Sequence, residues 1–568
     1  FIQKRTLDYA LKEKDQLLAA STYNNMAISY RSLGDFRNAE QCIQMGLQGL
    51  GQGSQIKILL NNTLADVYKD SGRNREAERV ITENILFQRK QVPDFETAYW
   101  LLSSYITAGD IQLAKGNFAS AKKQYEMALG INDKYYNGNR RREEAYVITQ
   151  LGNLQLKQHQ PAKAIGYFNS TLSILSVAKN SRVVKSKLFG DNRLVDVLYL
   201  KGMAALQLGD DEAALENIQL SLLAADKIRF ELADVKTKQR FQADTKEKAE
   251  QAMGIAFRLL EETQQYRYAL IILDIMEQSK ARTLLEDIRK NQQQLTLQTN
   301  DTLFVRKQEL EKAIAYNERE LLQHPQDRQG AAKKRDVLKF RLGNVEKALR
   351  DKYPSMGSAS IGNAPLNISA VLKKMPYYGD AVQFFLGQDF VYVLQVKNRQ
   401  IRHIHRISNA EDLKQRVGDF VKMYYHNGPE AMMHDPKAFY SHSYYIYNSL
   451  LGMLDLGSSK QIILIPDEVV GYLSFDGLVT NNNYRSAIST WPFLIKSAKI
   501  SYAFSLKTLI NQSHHPAGAN QDFTGLFITH QNKGKQFIPA VAREAASLKK
   551  LVSGSFLVDE EAGTGNFL

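Results

Sequence analysis

Few residues in this chain are equipped for covalent or metal chemistry, and their surroundings in the sequence decide which could use it. A thiol–imidazole pair needs a cysteine and a histidine brought together at strand ends, with backbone N–H groups to hold an oxyanion. The one cysteine, Cys42, stands beside Ile43 in a helical pattern and reads as a small buried residue. A single cysteine also excludes an intrachain disulfide or a cysteine-based zinc cluster and favours a cytoplasmic setting. His530 follows the strand-like Phe527-Ile528-Thr529, where α/β folds place functional groups, but no glycine follows it and it reads as a loop histidine. His403 and His405 share one face of a strand, with Arg402 and Arg406 opposite; two alternating histidines without a further ligand are a solvated basic face rather than a metal site. Asp467 and Asp476 flank a turn and read as helix caps. Gly49-Leu50-Gly51-Gln52-Gly53 lies between helical segments with no Lys-Ser/Thr after it, so it is a loop and not a phosphate cradle. Tyr424, Tyr425, Tyr440, Tyr444, Tyr445 and Tyr447 read mainly as packing. No catalytic, cofactor-binding or metal-binding residue is assigned, and no cofactor is expected.

The elements that carry these residues are dominated by a repeat. The 568 residues, 44% of them hydrophobic, suffice for about four domain-sized units. The net charge of +14 is a mild bias over that length, so no nucleic-acid partner is expected. No run approaches a membrane span; the apolar stretch Ile462–Ile465 stops at Pro466. One ruler organises the first 225 residues: small at position 0, glycine at +7, small at +12, bulky at +16, small at +19. It fits Ala27, Gly34, Ala39, Ile43, Gly46; Ala65, Gly72, Ala77, Ile81, Asn84; and Gly109, Gly116, Ala121, Tyr125, Ala128. It fits again at Gly152, His159, Ala164, Phe168, Thr171 and at Gly202, Gly209, Ala214, Ile218, Ser221, with His159 the one broken glycine slot. The small residues let two antiparallel helices approach, the glycine ends the first helix at positive φ, and the bulky residue is expected to fill the groove toward the next pair. This order resembles the tetratricopeptide repeat, which implies an α-superhelix with a surface for a protein or peptide ligand.

Downstream the texture changes twice. Ala252–Lys290 reads as a helical hairpin turning near Tyr266–Ala269, and Leu303, Leu310, Ile314, Leu321 and Leu338, Leu342, Val345, Leu349 on either side of Pro325 read as a coiled arm of two helices. Pro354–Pro365 is a linker. Ala381–Leu386, Phe390–Val396 and Ile401–Ile407 then form a strand meander, Ala410–Tyr425 and Pro436–Leu454 are helical, and Gln461–Ile465 reads as a buried central strand of a largely parallel sheet. Ile500–Tyr502, Gly525–Thr529 and Phe556–Val558 are further strands, with Ala540–Leu551 a crossover helix, giving α/β with helices on both faces.

Ile462–Val479 resembles the signature of the bacterial CHAT domain, a caspase-like cysteine-peptidase domain that commonly follows tetratricopeptide repeats. Ser501–Leu506, Ile538–Leu551 and Leu557–Leu568 are similar to later pieces of that family in the same order, and Ser279–Arg282 to its joint between repeats and arm. Ser474 and Phe504 depart from the family, which often has proline there. The resemblance implies that the catalytic His and Cys follow Leu568, so that the chain is a fragment, inactive as given, and that His530 is not the catalytic histidine.

The expected organisation is multidomain α plus α/β. A tetratricopeptide superhelix spans 1–225, a divergent helical hairpin and coiled arm 226–353, and the N-terminal part of a CHAT caspase-like domain 354–568. The function implied by the resemblance is a repeat-gated cysteine endopeptidase in full-length form, taking a polypeptide substrate. The alternative is a non-enzymatic scaffold for protein assembly, and a third class is a basic repeat protein binding an anionic polymer.

Overall fold

Two antiparallel helices come close only where one offers little side-chain bulk, and the five copies of the ruler place that opening at one level of each hairpin. The computed structural model describes the chain apart from residues 1, 52–53, 91–93, 232–234, 281–301, 324–327, 353–367, 376–378, 427–429, 458–459, 514–522, 530–537, 560 and 563–568. After α1 (Ile2–Lys12) the hairpins are α2 (Gln16–Ser32) with α3 (Phe36–Leu47), α4 (Ile56–Asp70) with α5 (Asn74–Arg89), and α6 (Phe95–Ala114) with α7 (Phe118–Tyr136). Two more follow, α8 (Arg141–Lys157) with α9 (Pro161–Ile174) and α10 (Asn192–Gln207) with α11 (Asp211–Glu231).

The bulky +16 residue seats on position 0 of its own hairpin. A Cβ on Gly109 would overlap the Tyr125 ring, one on Gly152 would lie 2.6 Å from Phe168, and one on Gly202 would lie 2.6 Å from Ile218. Where position 0 is alanine, at Ala27 and Ala65, the opposing residue is Ile43 or Ile81 and all four are buried. The expected filling of the groove toward the next pair is corrected accordingly: the volume match lies within each hairpin. The +19 slot has a second use. Asn84 Nδ2 donates to Ile58 O at 2.9 Å, Ser221 Oγ to Val195 O at 2.7 Å, and Thr171 Oγ1 to Ala145 O at 3.4 Å. In each case a small polar side chain ties the second helix to the same carbonyl level of the first. At the turn, Gly34, Gly72, Gly116 and Gly209 have φ between +70° and +80°, and His159 takes the same left-handed conformation at +56°. The turn therefore demands that geometry whatever residue occupies it. Before α10 the chain inserts a short antiparallel pair, β1 (Ala178–Lys179) with β2 (Arg182–Val183), which lengthens the last spacing.

Two further helices extend the stack, α12 (Val235–Thr263) and α13 (Tyr266–Gln278). The hairpin begins earlier than Ala252, and its turn is at Gln264, with φ +55°, just before Tyr266. The arm is α14 (Thr302–Gln323) with α15 (Arg328–Lys352), burying Phe304, Leu310, Ile314 and Leu349; Pro325 lies outside the described residues, as does the linker Pro354–Pro365.

After α16 (Ile368–Lys374) comes a five-stranded sheet in the order β5-β4-β3-β6-β7, formed by β3 (Asp380–Leu386), β4 (Phe390–Lys397), β5 (Gln400–Ser408), β6 (Gln461–Ile465) and β7 (Lys499–Tyr502). It is mixed rather than largely parallel: β3, β6 and β7 run parallel, while β4 and β5 are antiparallel to their neighbours. The central strand is β3, and β6 lies between it and β7. On one face Val382, Phe384, Ile462 and Leu464 pack against α17 (Ala410–Val421), α19 (Pro436–Leu451) and Trp491, with a π-helical segment Lys422–His426 and α18 (Glu430–His434) between those helices. On the other face Tyr392 meets Phe257 of α12 edge to face at 6.2 Å. The last hairpin of the helical stack is thus a covering layer of the sheet.

The chain divides into two compact units, Phe1–Tyr502, which holds everything above, and Ala503–Leu568. Within the second unit α20 (Leu506–Ser513) precedes β8 (Phe523–Phe527), α21 (Pro539–Leu551) and β9 (Gly554–Val558), and β8 and β9 pair in parallel across the crossover helix. No helix among the described residues is long and apolar enough to cross a membrane.

His159→Gly removes the left-handed penalty of a side chain at that turn and is expected to raise stability by about 1 kcal/mol. Gly152→Val, driven into Phe168, is expected to lower it by about 2 kcal/mol. Chemical denaturation of the two variants tests the shared turn and the volume match; destabilisation by His159→Gly would contradict the first.

Candidate functional site

Two of the charged groups that link the helical stack to the sheet, Glu250 and Lys280, are buried, so each must have a partner or cost free energy. Glu250, on α12, is 5% exposed and is aimed at the β3–β4 turn. Its Oε1 accepts the N–H groups of Asp389 and Phe390, both at 2.9 Å, and its Oε2 accepts that of Gln388 at 2.6 Å. The turn is closed by the N–H of Gly387 donating to Phe390 O at 2.9 Å. Gly387 leaves room for this carboxylate, since a Cβ there would overlap it in its present position. A carboxylate accepting three N–H groups is a charge-assisted arrangement and fixes the turn to the helix.

Lys280, just past α13, does the complementary task with carbonyls. Its Nζ donates to Ile465 O at 3.0 Å and to Pro466 O at 2.8 Å, at the C-terminal end of β6. Burial pulls its ammonium down to about 8, against the opposing pull of Asp467 and Glu277, with Lys246 adding to the decrease. Asp467 completes the joint: its Oδ2 accepts the N–H of Leu386 at 2.8 Å at the end of β3 and lies 3.5 Å from Lys246 Nζ. Lys246 also pairs with Glu468, which Lys414 of α17 approaches at 3.7 Å. The ends of β3 and β6, where parallel sheets usually present their functional groups, are therefore held by α12 and by the residue that follows α13.

A second polar system links the first helices of successive repeats. Arg31 pairs with Asp66 at 2.9 Å and Asp70 at 2.6 Å, and Lys69 lies 3.7 Å from Asp110. Asp110 accepts from Tyr125 Oη at 2.7 Å and Tyr146 Oη at 2.8 Å. Burial pushes its carboxyl up, opposed chiefly by Lys69 and Tyr125, and burial pushes Tyr146 well up as well. Arg193 lies over the Tyr146 ring and Lys248 over that of Tyr199, so this ladder reaches α12 two residues from Glu250.

The residues singled out in the sequence are distributed otherwise. Cys42 is buried in α3, and burial pushes its thiol up, opposite to an activated nucleophile. His530 lies outside the described residues. His403 and His405 sit on β5, and no group of three metal-ligating residues occurs among the described residues. Arg406 is not a solvated strand residue as expected: its guanidinium lies 4.7 Å from the Phe257 ring and 4.6 Å from that of Phe390. Asp467 does not cap the turn after it through its side chain but reaches back to β3, and Asp476 accepts from Tyr502 Oη at 2.8 Å; both differ from the expected caps. Gly49 and Gly51 lie in the connection between α3 and α4. Of the tyrosines, Tyr424 and Tyr440 are buried in an aromatic cluster with Phe439 and Trp491, while Tyr445 is exposed under Arg416. Glu250 sits in a charged helical stretch that carries no local mark of its role, and Gly387-Gln388-Asp389, between two strand patterns, is the sequence sign of the turn it meets.

A tetratricopeptide repeat model matches residues 102–135, which cover most of α6 and nearly all of α7. No curated protein matches the chain. Similar solved structures include the putative kinesin light chain TPR-like repeats of Podosopora anserina, 15% identical, covering 36% of this chain and 95% of that one with a TM-score of 0.28. A thermophilic TPR protein of Thermus thermophilus is 14% identical over 40% of this chain and 98% of its own, with a TM-score of 0.27. The STAND protein PH0952 of Pyrococcus horikoshii, with a tetratricopeptide repeat sensor, is 17% identical over 45% of this chain and 38% of its own, with a TM-score of 0.31. The matched segment and the five hairpins with one slot pattern show that the chain carries tetratricopeptide repeats.

Glu250→Gln replaces one acceptor oxygen with a donor facing an N–H, and is expected to destabilise the sheet by about 3 kcal/mol and to expose the amides of Gln388–Phe390 to hydrogen exchange. Lys280 has a folded pKa of about 8, below its unfolded value near 10.4, so the unfolded chain holds an extra proton between them. Stability is therefore expected to rise from about pH 8 to about pH 10, and Lys280→Met to remove that component. Urea midpoints of the wild type and the variant across this range check the sign; a wild-type stability falling in parallel with the variant would contradict it.

Proposed function

We propose that the chain is a partner-binding repeat scaffold whose state is passed to an α/β sheet through the Glu250–Lys280 joint, and that in full-length form the sheet belongs to a CHAT-type cysteine endopeptidase. Tetratricopeptide repeats offer surfaces for protein partners, and stacked repeats move as connected hairpins. The observation that carries the reading is the Glu250 carboxylate holding three backbone N–H groups of the β3–β4 turn. A displacement of α12 on partner binding would have to drag that turn, and Lys280 would drag the end of β6 in the same way. The peptidase part rests on the resemblance of Ile462–Val479 and the later segments to the CHAT family. On that reading the thiol and imidazole are supplied by chain following residue 568, and Cys42 takes no part. The non-enzymatic scaffold is the second reading, supported by the tetratricopeptide repeat hairpins themselves.

Labelling the complete protein with a thiol-reactive peptide electrophile separates the two. The peptidase reading expects modification of a cysteine other than Cys42, unaffected by Cys42→Ala, with a labelling rate changed at least about tenfold by Glu250→Ala. Modification confined to Cys42 would overturn it in favour of the scaffold, and a rate indifferent to Glu250→Ala would remove the gating role of the joint.

A further inference from the structure

The fourth hairpin departs from the other four in two ways that meet at one place. It turns through the strained His159, and the residues on either side of that histidine, Gln158 and Gln160, line an open groove of about 800 Å³ formed by α7, the end of α8 and α9. Small residues, Ala119 of α7 and Gly166 of α9, are among those that line it. Gly166 is unlike Gly109, Gly152 and Gly202, which packing forbids to carry a side chain: a Cβ on Gly166 would meet nothing within 4 Å. A mid-helix glycine costs about 1 kcal/mol relative to alanine, and no contact within the chain offsets it. What its missing side chain does is keep the groove open.

The lining has a definite chemistry. Phe118 and Tyr167 give an apolar wall, and Lys122 and Lys163 stand on either helix. Among the described residues Lys163 has no carboxylate within ion-pair distance, and Lys122 reaches only Glu126 at 3.7 Å with both side chains more than half exposed, a pairing that water screens. Gln155, Gln158 and Gln160 add amides that both donate and accept, as the backbone of an extended peptide does. Two cations with neutral amides and an aromatic wall suit carboxylates alternating with apolar side chains better than a run of phosphates, which calls for denser cationic contact.

We infer that this groove, formed by α7, the end of α8 and α9, is a docking site for an extended acidic peptide segment of a protein partner, made of residues other than those of the charged ladder. The occupant's carboxylates pair with Lys122 and Lys163, an apolar side chain lies against Phe118 and Tyr167, and its backbone exchanges hydrogen bonds with the glutamine amides. The site adds a second surface to the partner-binding reading and does not depend on the joint or on any peptidase activity.

Fluorescence anisotropy with the whole chain and three labelled probes tests it: a hexapeptide alternating glutamate and leucine, the same peptide with lysine for glutamate, and a single-stranded DNA hexanucleotide. The glutamate peptide is expected to bind at least about tenfold more tightly than either other probe. Gly166→Leu, which fills the groove where nothing is displaced, is expected to weaken it about tenfold while leaving the thermal midpoint unchanged or higher, and Lys122→Glu with Lys163→Glu to weaken it by at least as much. Asp70→Ala, on the first-helix ladder, is expected to leave it unaltered. Equal binding of the two peptides, preference for DNA, binding that survives Gly166→Leu, or loss of binding in Asp70→Ala would each overturn the assignment; loss of gating with groove binding intact would count against the joint alone.

Discussion

One buried carboxylate sets the relation between the two halves of the unit Phe1–Tyr502. Three consecutive N–H groups of a tight turn converge where no strand partner can receive them, and the sheet supplies no acceptor. Glu250 arrives from a helix that belongs to the repeat stack, so the turn is satisfied only when that helix is in place. Lys280 meets the inverse need at the end of β6, where two carbonyls point away from the ladder. Donors are answered by an anion and acceptors by a cation, both brought by one helical hairpin. Neither charge is cheap to bury, and the hydrogen bonds to backbone are what make each tolerable.

The repeats make this possible because they are connected at two levels. Within a hairpin, glycine or alanine at position 0 receives the bulky residue of the second helix, and in three of the five a small polar side chain at +19 ties the helices at one carbonyl. Between hairpins, the ladder from Arg31 through Asp66, Lys69, Asp110 and Tyr146 joins first helices to one another. Its members share partners, Arg31 with Asp66 and Asp70 and Lys69 with Asp66, Asp70 and Asp110, so the ladder ties the first helices to one another as a set. It ends at Lys248, on the same helix as Glu250.

The hairpins were legible because their rule is local: fixed spacing, small residues and one turn geometry, which even His159 obeys. The strands were legible from alternating and continuous apolar runs, and the helix between β8 and β9 from its position. Three things were not. The antiparallel strands β4 and β5 were visible as a meander, but their placement beside the parallel set, which makes the sheet mixed, depends on which edge of β3 stays open. The short β1–β2 pair has too few residues to show a pattern. The joint was hidden for a deeper reason. Glu250 and Gln388 are far apart in sequence, and a lone glutamate among Lys246, Glu247 and Lys248 looks like the solvated side of a helix until the turn is seen against it. Asp467 reads in the sequence as a cap of the nearest helix end, because local capping is what sequence proximity suggests, whereas it accepts the N–H of Leu386. Residues whose partners are distant carry no periodic signal, and the joint between helices and sheet is built from several of them.

The central claim is that the last helical hairpin is a structural layer of the sheet and not a neighbour resting on it. Two truncated chains test this most directly, one beginning at residue 235 and the other at residue 302, each ending at residue 502 and followed by near-ultraviolet circular dichroism and urea unfolding. The chain that keeps α12, α13 and Lys280 should hold the fixed aromatic signal of Trp491 and its neighbours and unfold cooperatively, while the chain without them should lose both. A sheet that folds with the same signal and the same urea midpoint in the absence of residues 235–301 would contradict the account.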